Sequence, residues 1–278
     1  MSLTKEQKIM IVLSIVGIAM VVGMAILIVK YSNSGYFTIL PQGQIVVIRF
    51  YGEISYSNGL GVLGLGVNAN QLIQLLNRLD KDPNVKAIIL DINSPGGDAV
   101  ASELIAERIH SMHKPVIAVC ESVCASGAYM VASACKKIYV QPDTITASIG
   151  AYIDYVNKTD YYKNKSIIYE PIKRNKYKDI LAPYRPMTKE ERAWLYQIVN
   201  QTYEHFVHMV EEYRHINFSN LPYMIRESAF CNGQEAVKYH LADGIEPLWK
   251  VEEMVNKKYC NGNCKIVYMN AGGSLFPL

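Results

Sequence analysis

Histidine is scarce in this chain and absent from its middle: six occur in 278 residues, and none lies between His113 and His205. An imidazole base close in sequence to the central motifs is thereby excluded. A distant one stays open, although no position recommends it. Cysteine is sparse as well, with six residues and no Cys-x-x-Cys pair, too few in so long a chain for a disulfide scaffold. Cys120, Cys124 and Cys135 sit in apolar surroundings and read as buried small residues. Cys260 and Cys264 flank a turn, Asn261-Gly262-Asn263, and stand either as a local bridge or as two free thiols. Net charge is only +3, which by itself implies no nucleic-acid partner. His205 and His208 lie among Glu204, Glu211 and Glu212, a pattern that fits a solvated helix face better than a metal cluster. No metal or cofactor is implied.

Long apolar runs are also rare, with one exception. Ile9 to Val29 is uncharged and mostly aliphatic throughout, and at about 1.5 Å per residue it spans about 31 Å, the thickness of a bilayer's hydrocarbon core. A cleaved signal peptide would have a shorter run ending at a small-x-small site, whereas this one ends Ile28-Val29-Lys30-Tyr31. A retained single-pass anchor is expected over 9–29, behind an N-terminal tail over 1–8. Lys5 and Lys8, diluted by Glu6, lean toward a cytoplasmic N-terminus. The rest of the chain is then expected outside the cell membrane, as a linker over 30–44, one domain over 45–259 and a tail over 260–278.

Ile45 to Tyr51 and Ala87 to Ile92 read as strands. Between them, Leu72, Ile73, Leu75, Leu76 and Leu79 mark an amphipathic helix over 68–80 with Asn68 or Asn70 as its cap. Further on come a helix over 99–112, a strand over 115–119, a helix over 125–134, and strands near 137–140 and 146–152. This strand–turn–helix order predicts an α/β domain with mostly parallel pairing. A long helix over 188–215 opens with Thr188 and Glu191 at capping-box spacing. Helix, short strand, helix and an irregular tail complete the chain from Gln234.

Two strand-to-helix junctions could carry chemistry. Asn93-Ser94-Pro95-Gly96-Gly97 follows one buried strand, and Cys124-Ala125-Ser126-Gly127-Ala128 follows the next. Glycine lets backbone approach a substrate, and a helix start favours developing negative charge. Ser126 is either an ordinary N-cap or a nucleophile. Successive strands place both junctions on one sheet edge, so both could face one crevice. A serine hydroxyl needs an adjacent base. With no histidine nearby, a neutral lysine becomes attractive, and burial can supply the neutral form. Seven Lys/Arg lie between Lys158 and Lys178, and spacing does not single one out.

A resemblance does. Asn93-Ser94-Pro95-Gly96-Gly97, Ala125-Ser126-Gly127, Ala147-Ser148-Ile149-Gly150, Lys176-Tyr177-Lys178-Asp179, Met187-Thr188-Lys189-Glu190-Glu191-Arg192 and Gly233-Gln234-Glu235-Ala236 follow the order seen in the signal peptide peptidase A family, the S49 serine peptidases. It covers roughly residues 45 to 250. It implies a ClpP/crotonase-like α/β spiral, with Ser126 as nucleophile, Lys178 as general base, Ser148 orienting that lysine, and Gly97 and Gly127 giving the oxyanion N–H groups. It also implies a ring-shaped homo-oligomer in which serine and lysine meet from neighbouring copies. Ala128 and Ala147 stand where the family commonly has glycine, swaps expected to disturb geometry little. The function implied is a membrane-anchored endopeptidase for hydrophobic peptides, such as remnant signal peptides. A peptidase dedicated to one membrane protein and a non-catalytic membrane scaffold ring are the alternatives. Gly59-x-Gly61-x-x-Gly64 lacks the strand and helix a dinucleotide fingerprint requires; the apolar loop from Gly59 to Val67 is expected to line the groove or touch lipid. The small, apolar run Asn270 to Leu275 is a candidate self-substrate.

Overall fold

The computed structural model describes Met20, Val22, residues 43–56 and residues 66–271. All of the expected anchor but Met20 and Val22, most of the linker, most of the Gly59–Val67 loop and the end of the tail lie outside the described residues. No helix among the described residues is long and apolar enough to cross a membrane.

In chain order the strands are β1 (Gln44–Tyr51), β2 (Ile54–Ser55), β3 (Val67–Asn68), β4 (Val85–Ser94), β5 (Val116–Ala125), β6 (Lys137–Val140), β7 (Ile145–Ala147), β8 (Phe230–Cys231), β9 (Gly244–Ile245) and β10 (Lys265–Asn270). The helices are α1 (Ala69–Lys81), α2 (Ala99–His110), α3 (Gly127–Ser133), α4 (Thr159–Asn164), α5 (Lys189–Arg214), α6 (Tyr223–Arg226), α7 (Gly233–Lys238) and α8 (Leu248–Cys260). The main sheet runs β10-β1-β4-β5-β6-β9, with β7 beside the second half of β5 and β8 beside β7. Every pairing in it is parallel except β7 with β8.

Buried parallel strands need apolar residues on both faces rather than alternation, and β1 and β4 meet that need. Val46, Ile48 and Phe50 face a core shared with α1, α2 and α3, while Ile45 and Val47 face a smaller core closed by Val251 and Val255 of α8. On α1, Leu72, Leu75, Leu76 and Leu79 are buried, each contributing about 1.5–3 kcal/mol. Asn68 caps that helix by accepting from the Gln71 N–H at 3.1 Å. The capping box at Thr188 and Glu191 is present and opens α5.

Two readings of the sequence change, and one left open is decided. Residues 265–270, expected in an irregular tail, form the edge strand β10 along β1; its partner comes from the other end of the chain, so no local pattern announces it. The strand expected over 146–152 ends at Ala147, because Ala147 and Ser148 both turn left-handed, at φ 66° and 51°. Cys260 and Cys264 are bridged, while Cys120, Cys124 and Cys135 are free and buried.

Candidate active site

Ser126 occupies the sharp turn between β5 and α3, with φ 54° and ψ −128°. That conformation costs a non-glycine residue about 1–3 kcal/mol and persists only where neighbours over-determine it. Here they do: the Ser126 N–H donates to Ala147 O at 2.8 Å, and Ser126 O accepts from Met130 N at 3.0 Å. The turn lifts the side chain off the helix end, so its hydroxyl makes no capping bond.

The Gly96-Gly97 turn presses against Ser126 from β4. A Cβ on Gly96, at φ 99°, would come within 2.7 Å of Gly127 N, and one on Gly127 would lie 2.2 Å from Ser102 Oγ. Only glycine permits this approach at either position. Ile54 fixes the direction of the neighbouring peptide groups, donating to Gly96 O at 2.9 Å and accepting from Asp98 N at 2.9 Å. Because Ile54 bonds the residues on either side of Gly97, the Gly97 N–H points the other way. Neither it nor the Gly127 N–H at the start of α3 donates to another group among the described residues. Two unengaged N–H groups beside a serine hydroxyl are what an oxyanion hole requires.

These groups line a cavity of about 520 Å³. Met130, Ile153, Ile198, Val199 and Phe206 give it an apolar wall, and Glu53, Asp98 and Asp154 bring carboxylates. The contribution of α5 was missed in the sequence, although Ile198, Thr202 and Phe206 recur at helical spacing. Ser148 is close by construction: β5 and β7 pair Ala125 with Ala147, so Ser148 leaves the sheet beside Ser126. Ala147, with its left-handed φ of 66°, carries strain that a glycine would avoid.

Lys178 is not brought to Ser126 within one chain. It lies exposed in the irregular stretch between α4 and α5, outside the cavity walls. No Lys, Arg or His is among the described residues lining the cavity. The stretch carrying Lys178 is nonetheless tied down. Arg185 binds Asp179 at 2.8 Å and Glu191 at 2.6 Å, Lys173 also binds Asp179, and Lys176 binds Glu190 at 2.5 Å. Bonds from Arg185 and Lys173 hold the Asp179 carboxyl well below the usual carboxylate range, and the Arg185 bond holds that of Glu191 down at about 2. The Lys178 side chain enters none of these pairs.

Known proteins match this chain at family level. The model of peptidase family S49 matches residues 108–258, spanning Ser126, Ser148 and Lys178, and the Clp protease model matches residues 66–146, including Gly97. The chain is 34% identical to a candidate protease of Methanocaldococcus jannaschii, across 90% of this chain and 84% of that protein. It is 35% identical to the chloroplast serine protease SPPA of Arabidopsis thaliana, across 64% of this chain and 27% of that one. With a candidate signal peptide peptidase SppA of Enterococcus faecium the identity is 26%, across 64% and 52% respectively. The chain therefore spans most of the archaeal relative but a quarter to a half of the other two.

Proposed function

Because this chain belongs to peptidase family S49 and is a serine peptidase, we propose that it is a membrane-anchored endopeptidase whose active site is completed between neighbouring copies. Its substrates are hydrophobic peptides, including signal-peptide remnants, and Ile9 to Val29 is its anchor. The observation that carries this reading is the separation of the parts. Ser126 has a strained turn, two unengaged N–H groups and a cavity with an apolar wall but, among the described residues, no lysine or histidine, while the Lys178 side chain sits on a pinned and exposed segment with no ion pair among the described residues.

The chemistry follows from this division. Lys178 of a neighbouring copy, as the neutral amine, removes the Ser126 proton as Oγ attacks the substrate carbonyl. Seating between copies takes a lysine out of water, which favours the neutral form. The Gly97 and Gly127 N–H groups hold the oxygen that becomes negative. Lys178 then protonates the departing amine, leaving an acyl-serine that water cleaves with the same lysine as base. Ser148, beside Ser126, accepts a hydrogen bond from the lysine and aims it.

Charge and surface support the assembly. The cavity carries Glu53, Asp98 and Asp154, and the segment from Lys158 to Lys178 is basic. Exposed apolar residues concentrate on the same segment and its flank, among them Tyr152, Ile168, Ile172 and Trp194. Monomeric proteins seldom leave such surface open.

Co-expression of Ser126→Ala with Lys178→Ala tests the reading. Each variant alone is inactive, and random co-assembly rebuilds about a quarter of the sites, since one interface in four joins an intact serine to an intact lysine. Recovery of peptide cleavage supports sharing. Two active single variants would refute the dyad, and no recovery from a verified mixed oligomer would refute the sharing.

A further inference from the structure

Ser102 is the fourth residue of α2 and lies behind the Ser126 turn, with none of its surface exposed. Its Oγ donates to Asp98 O at 2.8 Å, the carbonyl that also accepts the Ser102 N–H at 3.0 Å. On its other side the same oxygen meets Gly127. A Cβ placed on Gly127 would lie 2.2 Å from Ser102 Oγ and 3.4 Å from Gly97 N, so these groups surround one point. One buried side chain therefore engages both peptide segments whose N–H groups face the cavity. It holds the Gly97–Asp98 turn through a hydrogen bond and Gly127 by direct contact.

A plainer account is local, since a serine inside a helix often bonds the carbonyl four residues back. It explains the bond but not the residue. The Ser102 N–H already closes that turn on Asp98 O, and the Asp98 side chain caps α2 by accepting from Ala101 N at 2.8 Å. A single buried hydrogen bond contributes modest net stability, and alanine is the better helix former. What the hydroxyl adds is a fixed length. Bonded to Asp98 O it keeps one orientation, and its oxygen sets how near α2 comes to the Gly127 α-carbon. The other side of the Gly97 turn is fixed separately, by the two bonds to Ile54. With that side held, the Ser102 contact decides the distance between the Gly97 and Gly127 N–H groups. An oxyanion hole depends on this distance, because both donors must reach one oxygen at about 2.7–3.1 Å.

We propose that Ser102 is a positioning residue for peptide cleavage, setting the spacing of the Gly97 and Gly127 N–H groups around the developing oxyanion. This rests on the assignment of those two N–H groups to the hole. Ser102 is not among the residues lining the cavity and acts only through the two glycines.

Steady-state kinetics of the full chain in detergent, with a peptide substrate and its aldehyde analogue, provide the test. The aldehyde adds the Ser126 O–H across its carbonyl and puts its oxygen in the hole, so its affinity reads the hole without turnover. Ser102→Ala should lower kcat about tenfold, a part of the about 10²–10³ lost with a whole donor. Aldehyde inhibition should weaken by the same factor, with KM within about twofold. Melting temperature should hold, because alanine suits the helix; a purely local hydroxyl predicts the same melting with kcat unchanged. Ser102→Cys, which brings a larger sulfur against Gly127, should also lower kcat at constant KM. Unchanged kcat and aldehyde affinity in both variants, beside an inactive Ser126→Ala, would overturn the proposal and leave the mechanism standing. A loss that followed melting temperature or KM alone would overturn it too. Turnover by Ser126→Ala would remove the mechanism and this proposal with it.

Discussion

The sheet and the arm that follows it are built on opposite terms. From Val85 to Ala147 the chain is largely buried, and the strain at Ser126 and Ala147 is held by bonds inside one molecule. From Ala151 to Glu190 no residue is buried, and α4 buries none at all. Ion pairs and contacts between tyrosine rings hold this arm, as in the stacking of Tyr169 on Tyr184 at 5.0 Å. A nucleophile must be rigid before substrate arrives, and the sheet provides that alone. The arm keeps a shape but offers its apolar side chains outward, which is how a segment is built when its covering partner is another molecule.

The sharpest way to break this comparison is at the chemistry. Ser126→Ala and Lys178→Ala should each lower peptide cleavage by about 10³-fold or more, with melting temperature unchanged for Lys178→Ala because its exposed side chain enters no ion pair among the described residues. Appreciable turnover by either variant in a peptide assay would remove that residue from the mechanism.

Next in size is the exposed apolar face. If the proposed assembly covers this face, Ile168→Asp with Ile172→Asp should dissociate it and cut activity at least about tenfold, because charge in a desolvated contact is costly. The core should melt where it did before. Light scattering and calorimetry would show this, and an intact active oligomer would mean that the face is covered by something else.

A smaller effect separates the sheet from the arm by pH. Burial pushes the Asp91 carboxyl up to about 6, against the bond from Tyr51, with Glu121 adding to the rise. A raised carboxyl is favoured protonated in the fold, so its contribution is present at low pH and lost as pH rises from about 4 through about 6. Asp91→Asn should therefore stabilise the protein above pH 6, by up to about 2–3 kcal/mol, and flatten that window without altering assembly. Denaturant titrations across pH would read it, and a destabilised variant at pH 7.5 would contradict it. The smallest change expected is Ala147→Gly, which relieves a left-handed alanine worth about 1 kcal/mol. Unfolding midpoints would check it, and a lower midpoint would mean that the alanine methyl matters more than the strain.

Legibility followed the same division. The strand-and-turn order placed Ser126 and the Gly96-Gly97 turn on one edge, because buried parallel strands and glycine turns are local patterns. Lys178 was not legible from spacing among the other Lys/Arg around it and was named only by resemblance. The reason is physical: no ion pair among the described residues engages its side chain, so no periodicity or packing residue points at it. The α5 contribution to the cavity was hidden for a related reason, since a helix with few buried residues gives a weak amphipathic signal.

The sequence by itself determined the α/β order, the cap at Thr188, and the glycines at which backbone could come close. Those features are set by φ preference, side-chain period and short-range hydrogen bonds. Tertiary structure alone decided that β10 closes the sheet beside β1, that the strained turns at Ala147 and Ser126 are joined by one backbone bond, and that the described residues lining the Ser126 cavity include no lysine or histidine. These depend on contacts between residues far apart in the chain, where only the folded geometry says which groups meet and which are left facing outward.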